Sequence, residues 1–266
     1  MWYMIVEKEL SEVSQTLLIP LVARAKEMAQ SAPIIYDQKA AQFLDKVDTT
    51  HLIVEGGEIA TLGILARTKV IDEEVLKLIS NQSRTVIINL GVGLDTRFDR
   101  IRGASVKWYD IDLPEVINLR KQFIQEEKDI HFIGQSILDS SWVEEIEVSK
   151  DDSVIIIAEG LFMYFTESEV RQVLHLLTCT FPNAHIFFDV VHSFFVQKKI
   201  SSTFLWGIDK AYEIEKMANG LQLIESWSMG NLLKTRQSIL YRILNIFPST
   251  RNRSQILHCQ VQINHK

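Results

Sequence analysis

The run Val86-Ile87-Ile88-Asn89-Leu90-Gly91-Val92-Gly93-Leu94-Asp95-Thr96-Arg97 contains the residues best suited to cradle a small molecule. Gly91 and Gly93 follow a β-branched apolar run, and their missing side chains let the backbone turn sharply and a flat ligand lie against it. Two glycines after a strand also make an ordinary turn, so the pair gains meaning only from its surroundings. A dinucleotide fingerprint places a third glycine three positions after the second, where the helix N-terminus meets a pyrophosphate; here that position is Thr96. The next acidic residues are Asp110 and Asp112, and Asp112 stands at about the usual separation of roughly 20 residues from the first glycine to a ribose-binding carboxylate. An adenosine ligand without pyrophosphate points to S-adenosylmethionine. A carboxylate capping a helix that opens at Pro114 is the rival reading of Asp112, and that alternative stays open here.

The elements that must position these groups are legible in the spacing. Leu17, Leu18, Leu21, Val22 and Ala25 fall on one helical stripe, as do Ile59, Leu62, Ile64 and Leu65, and later Val75, Leu76 and Ile79. From Arg84 onward short β-branched runs alternate with helical stretches, giving seven expected strands at Thr85–Leu90, Ser105–Asp110, Ile130–Ile133, Ser153–Ala158, Ala184–Val190, Leu221–Trp227 and Ile256–Ile263. The central runs are apolar on both faces, as parallel strands covered by helices must be. An α/β sheet with helices on both sides follows. Thr166 and Glu169 have capping-box spacing at the start of an amphipathic stretch through Val170, Val173, Leu174 and Leu177. The expected organisation is a single domain over 1–266, with a helical N-terminal lid over 1–83 and a sheet core over 84–266.

Composition narrows the function classes. Apolar residues make up 47 % of the 266 and charged residues 23 %, which is globular usage. A formal charge of −6 offers no overall attraction for phosphate backbones, so nucleic acid is not expected as a partner. Only Cys179 and Cys259 are present, which excludes a disulfide framework or a cysteine zinc site and fits a reducing, cytoplasmic compartment. Glu7, Lys8 and Glu9 interrupt any leader-like stretch, and no apolar run is long enough to span a bilayer, so no membrane partner is expected. The histidines at 51, 131, 175, 185, 258 and 265 show no metal-ligand spacing, and there is no phosphate loop or nucleophile elbow.

Three segments together resemble the leucine carboxyl methyltransferase family, including a bacterial branch acting in polyketide synthesis: Asn89 to Arg97, Tyr109-Asp-Ile-Asp-Leu-Pro-Glu-Val116, and Ala158-Glu-Gly-Leu-Phe-Met-Tyr164. The likeness extends through Ser14–Glu27, Ala66–Asp72 and Phe188–Val190, and is thinnest between Met229 and Asn252. It implies a class I S-adenosylmethionine methyltransferase fold, Rossmann-like, with a seven-stranded mostly parallel sheet and a helical N-terminal cap. It makes Arg67 the partner of the cofactor carboxylate, a task to which a guanidinium fork is suited. Gly91 and Gly93 would lie against the methionine and ribose portion, Asp112 would accept from the ribose hydroxyls, and Glu159 would face the amino group or sulfonium. Ser136 stands where eukaryotic relatives carry an aspartate near the adenine; it and Ile137 are the expected adenine contacts, with Asp139 an alternative alignment.

The methyl acceptor leaves fewer marks. Methyl transfer is an in-line displacement in which positioning supplies much of the rate. A carboxylate acceptor is already ionised, whereas an aliphatic hydroxyl needs a base. His192, just beyond the fifth strand, is the expected base if one is used, and Tyr164 could orient an acceptor; a loop histidine and an apolar wall are the plainer readings of the two. Phe194, Phe195, Phe204, Leu205 and Trp206 could line an apolar acceptor pocket. The expected function is O-methylation of a carboxyl or hydroxyl group on a small molecule such as a polyketide-like metabolite. A protein C-terminal carboxyl methyltransferase, an NAD-dependent oxidoreductase and a non-catalytic adenosyl-binding module are the alternatives. Oligomeric state leaves no signature.

Overall fold

A computed structural model describes residues 17–45, 57–101, 105–199, 201–247 and 251–262. The N-terminal stretch with Glu7 to Glu9, the start of the Ser14–Glu27 likeness, His51, His265 and the end of the last expected strand at Ile263 lie outside them. Seven strands form one sheet in the order β3-β2-β1-β4-β5-β7-β6: β1 (Thr85–Leu90), β2 (Val106–Asp112), β3 (Ile130–Gly134), β4 (Ser153–Ala158), β5 (His185–Val191), β6 (Leu221–Ser228) and β7 (Ser254–Val261). The first five pair in parallel; β7 runs antiparallel and inserts between β5 and β6. Every residue of β1 is buried, as its unbroken apolar run requires.

Two apolar layers flank the sheet. One face packs Val86, Ile88, Ile156 and Phe188 against helix α6 (Glu167–Thr180), which opens with the Thr166–Glu169 capping box and buries Val170, Val173, Leu174 and Leu177. The other packs Ile87, Ile155, Ile157 and Phe187 under helices α1 (Leu18–Glu27), α2 (Gln38–Leu44) and α3 (Gly57–Ser80). Helix α2, which no stripe announced, is capped by Asp37, whose carboxylate accepts from Ala40 N at 2.9 Å. Short helices α4 (Arg97–Ile101) and α5 (Pro114–Lys121) follow β1 and β2, α7 (Ser193–Gln197) follows β5, and α8 (Ile239–Leu244) lies in the β6–β7 connection. Among the described residues no helix is long and apolar enough to cross a membrane. The strand order reverses direction between β1 and β4, and ligands bind at the carboxyl ends of strands flanking such a switch point.

Far from that end, His185 Nδ1 and His258 Nε2 lie 2.8 Å apart, and His258 stacks on Phe187 with ring centroids 4.2 Å apart. Burial holds both imidazoles neutral, and the neighbouring His185 adds to the effect on His258, which is pushed down to about 4. The folded state therefore refuses a proton that the unfolded chain accepts near pH 6.5. This contribution is intact above pH 6.5 and drains away as pH falls toward 4, with a slope of up to about 1.4 kcal/mol per pH unit from His258. Urea unfolding at several pH values should show His258→Phe losing stability less steeply than the parent over this window; parallel curves would refute the assignment.

Candidate active site

Gly91 and Gly93 form the turn out of β1 with φ of +60° and +51°. A Cβ at Gly91 would collide with Leu161 Cδ1, and one at Gly93 would stand 3.0 Å from Leu17 Cδ2. The turn is pinned from the neighbouring strand: Asp112, the last residue of β2, accepts from Gly93 N and from Leu113 N, both at 2.8 Å. Asp112 thus fixes the glycine turn while keeping its carboxylate at the edge of a cavity of about 320 Å³ at the carboxyl end of the sheet. Burial raises its pKa against the opposing pull of these two amides.

The cavity lies between the glycine turn, the β4 end at Glu159 to Tyr164, and Leu17, Ile19, Pro20, Arg24, Ile64 and Arg67 from the N-terminal helices. Behind it runs a chain of buried ion pairs. Arg67 donates from Nε to Glu159 Oε1 at 2.9 Å and from Nη1 to Asp189 Oδ2 at 2.8 Å. Glu159 also accepts from Thr68 Oγ1 at 2.9 Å and from Arg97. Arg97 donates to Asp72 at 2.5 Å and Asp95 at 2.6 Å; Arg100 reaches Asp72 and Asp37, and Arg24 closes the chain onto Asp37 at 2.8 Å. Isolated buried charges are costly, but here each guanidinium meets carboxylates. Burial would raise the Glu159 pKa, yet Arg97 and Arg67 override it and hold the carboxyl well below its usual range. The chain ties α1, α2 and α3 to the ends of β1, β4 and β5.

The arrangement distinguishes between ligands. The helix after the glycine turn has five residues, and the Arg97 N–H at its start is taken by Asp95 Oδ1 at 3.1 Å, so a carboxylate stands where a pyrophosphate would seat. Thr96, in place of a third glycine, donates to Asp37 at 2.5 Å. Asp95, Asp112 and Glu159 outnumber Arg24 and Arg67 among the charged residues lining the cavity. S-adenosylmethionine carries a sulfonium, an ammonium and one carboxylate, a net cation, and the residues fit it. A doubly anionic pyrophosphate meets the wrong charge.

The expected site residues divide. Arg67, Gly91, Gly93, Asp112, Glu159 and Tyr164 all border the cavity. Ser136, Ile137 and His192 do not. Ser136 Oγ accepts from Leu138 N at 3.3 Å, and Ile137 is buried in the core with its carbonyl accepting from Trp142 Nε1. His192 caps α7, its Nδ1 accepting from Phe194 N at 3.2 Å and lying 3.3 Å from Asp209. Of the expected aromatic cluster only Phe204 borders the cavity; Trp206 is in the core and Phe194 faces outward. Sequence reasoning gave no role to Asp189, Arg97, Asp95 or Asp72. Asp189 could have been found as a carboxylate within the otherwise apolar strand Ile186-Phe187-Phe188-Asp189-Val190, which is costly to bury unless it meets a cation.

This fold and cavity define a class I S-adenosylmethionine-dependent methyltransferase. Residues 18–178 match the model of the family described as leucine carboxyl methyltransferase, and the chain belongs to that family. It is 28 % identical over 229 residues to the tetracenomycin polyketide synthesis O-methyltransferase TcmP of Streptomyces glaucescens, covering 83 % of this chain and 84 % of that one. It is 29 % identical over 246 residues to the S-adenosyl-L-methionine-dependent methyltransferase dpfgK of Gibberella zeae, covering 81 % and 82 %. Magnesium protoporphyrin IX methyltransferase from Synechocystis, solved with S-adenosylmethionine bound, shares the fold at a TM-score of 0.50 and 12 % identity, covering 88 % of this chain and all of that one.

Proposed function

We propose that this chain methylates an oxygen on a small, largely apolar molecule, and that the oxygen is one acidic enough to ionise unaided, a carboxylate or an activated hydroxyl. The observation that carries this is the apolar part of the cavity wall. Ile64, Leu161, Met163, Tyr164 and Phe204 make it up, with the Tyr164 and Phe204 rings edge to face at 5.6 Å, and no histidine, lysine or cysteine borders the cavity among the described residues. Two of the three bordering carboxylates, Asp95 and Glu159, are held by guanidinium groups. Burial raises the pKa of Tyr164, so its hydroxyl stays a donor. The identity to TcmP, whose name states O-methylation in polyketide synthesis, supports the same acceptor class. Nucleic acid has no role in this reading, and the two free thiols suit a cytoplasmic protein.

S-adenosylmethionine supplies a methyl group on a sulfonium, already activated for in-line displacement. The chain's task is then to bind, align and exclude water. Gly91 and Gly93 would lie against the methionine and ribose portion of the cofactor, Asp112 would accept from the ribose hydroxyls, and Arg67 would pair with its carboxylate. Glu159 acts through Arg67 and Arg97, whose guanidinium groups it holds. Ser136 and Ile137 keep structural roles, and the N-terminal helices bearing Leu17, Ile19 and Ile64 serve as the lid. Tyr164 and Phe204 clamp the acceptor.

The test is formation of S-adenosylhomocysteine with aromatic carboxylic acids, phenols and aliphatic alcohols of matched size. Acids and acidic phenols should turn over and aliphatic alcohols should not. With a carboxylic acid the rate should be flat above about pH 6, because the acceptor's pKa is near 4. His192→Ala should retain activity within a few-fold. A profile rising through the imidazole range near pH 6.5, with a loss on the order of a hundredfold in His192→Ala, would restore the histidine as general base.

A further inference from the structure

Helix α8 buries none of its residues. Asn245, its C-cap and 7 % exposed, anchors the end of the helix by donating to Gly230 O at 3.1 Å and to Gln237 Oε1, while Gln237 donates to Leu232 O at 2.7 Å. The apolar residues of the helix and of the turn that follows it face solvent: Ile239 is 70 % exposed, Leu240 67 % and Ile243 51 %, and beyond the helix Ile246 is 70 % and Phe247 59 % exposed. Three- and four-residue spacing places these on one broad face, and large exposed apolar faces mark contact surfaces. The charge pattern identifies the partner. No aspartate or glutamate follows Glu225 in the sequence, whereas Lys234, Arg236, Arg242, Arg251 and Arg253 cluster here, in a chain whose net charge is −6. Arg236 is paired with Glu27 and fastens the segment to α1. Lys234, Arg242 and Arg251 line a cavity of about 310 Å³ beside the helix, bordered also by Asn245, whose buried Oδ1 has no hydrogen-bond partner. Three cations with an orphaned acceptor suit a phosphodiester headgroup bearing a hydroxyl.

We propose that α8 is a peripheral docking surface for an anionic phospholipid bilayer: the Ile239–Phe247 face enters the acyl boundary while the Lys234, Arg242 and Arg251 cavity receives a headgroup. Basic residues beside an exposed apolar helix are the usual basis of such attachment. This departs from the expectation of no membrane partner, which rested on the lack of a spanning segment; lying on a bilayer needs none. The β6–β7 connection leaves the sheet at its carboxyl end, where Met229 packs against Gly63 of α3, so a docked protein would hold its methyl-transfer cavity close to the lipid surface.

Co-sedimentation of the full chain with vesicles of phosphatidylcholine plus phosphatidylglycerol, and of phosphatidylcholine alone, tests this. Binding should favour the anionic vesicles and weaken with added salt. Ile243→Glu and the pair Lys234→Glu with Arg242→Glu should each weaken it at least about tenfold. All three positions lie away from the methyl-transfer cavity, so S-adenosylmethionine affinity should be unchanged and report intact folding. Equal sedimentation with both vesicle types, or retention in the variants, overturns the proposal. So does a dimer in light scattering that Ile243→Glu dissociates, which would assign the face to a second copy. Competition by soluble glycerol phosphate with no effect of Ile243→Glu would assign the cavity to a free phosphate ester instead.

Discussion

Arg67→Ala should weaken S-adenosylmethionine binding by about 2–5 kcal/mol, roughly 30-fold or more, while adenosine, which lacks the carboxylate, binds almost as before. The same substitution removes a guanidinium from between Glu159 and Asp189. Glu159 keeps Arg97 and Thr68, whereas Asp189 is left buried with the Gly160 amide as its remaining described partner. Breaking a buried pair by removing one partner costs about 3–5 kcal/mol. For a chain of this size that amounts to a fall in melting temperature of about 10 °C. Both effects belong to one residue, and two titrations on the folded protein separate them. If the two ligands weaken equally, Arg67 only braces the fold. If neither weakens and only the melting temperature falls, the conclusion is the same.

Gly91→Val should abolish cofactor binding, a loss beyond about a thousandfold. Valine is β-branched and resists a φ of +60°, and its Cβ would meet Leu161, which borders the cavity. Making room displaces the end of Leu161, part of the cavity wall. The backbone strain falls on one turn, so the variant should still fold with a modest loss of stability, on the order of 1–3 kcal/mol. Far-ultraviolet circular dichroism and a thermal melt on the same sample distinguish lost binding from lost folding. Normal affinity in Gly91→Val would show that the ligand lies elsewhere.

The parts of this protein legible in the sequence are those set by local pattern. The apolar runs of β1 and β4, the Thr166–Glu169 cap and the glycine pair each rest on neighbours within a few positions, and each stands where its spacing placed it. Expected strand ends were off by one or two residues, and at β2 this mattered, because the strand continues to Asp112 and delivers it to the glycine turn. The ion-pair chain was illegible for the opposite reason: Arg67 and Asp189 are 122 positions apart, and only the fold brings them together. His192 looked like a base because it follows a strand, but the amide of Phe194 claims its Nδ1. At α8 the polar anchors Asn245 and Gln237 flank the helix while its own apolar residues face water, so hydrophobic periodicity gave no warning of its orientation.

Asp112 borders the cavity and Asp95 occupies the amide where a pyrophosphate would seat, an arrangement that favours a cationic adenosyl ligand over a dinucleotide. Isothermal titration of the unaltered protein with S-adenosylmethionine and with NAD, side by side, tests this most directly. S-adenosylmethionine should bind with a micromolar-class dissociation constant, about −8 kcal/mol, and NAD at least about a hundredfold more weakly. Comparable affinity for NAD would contradict it.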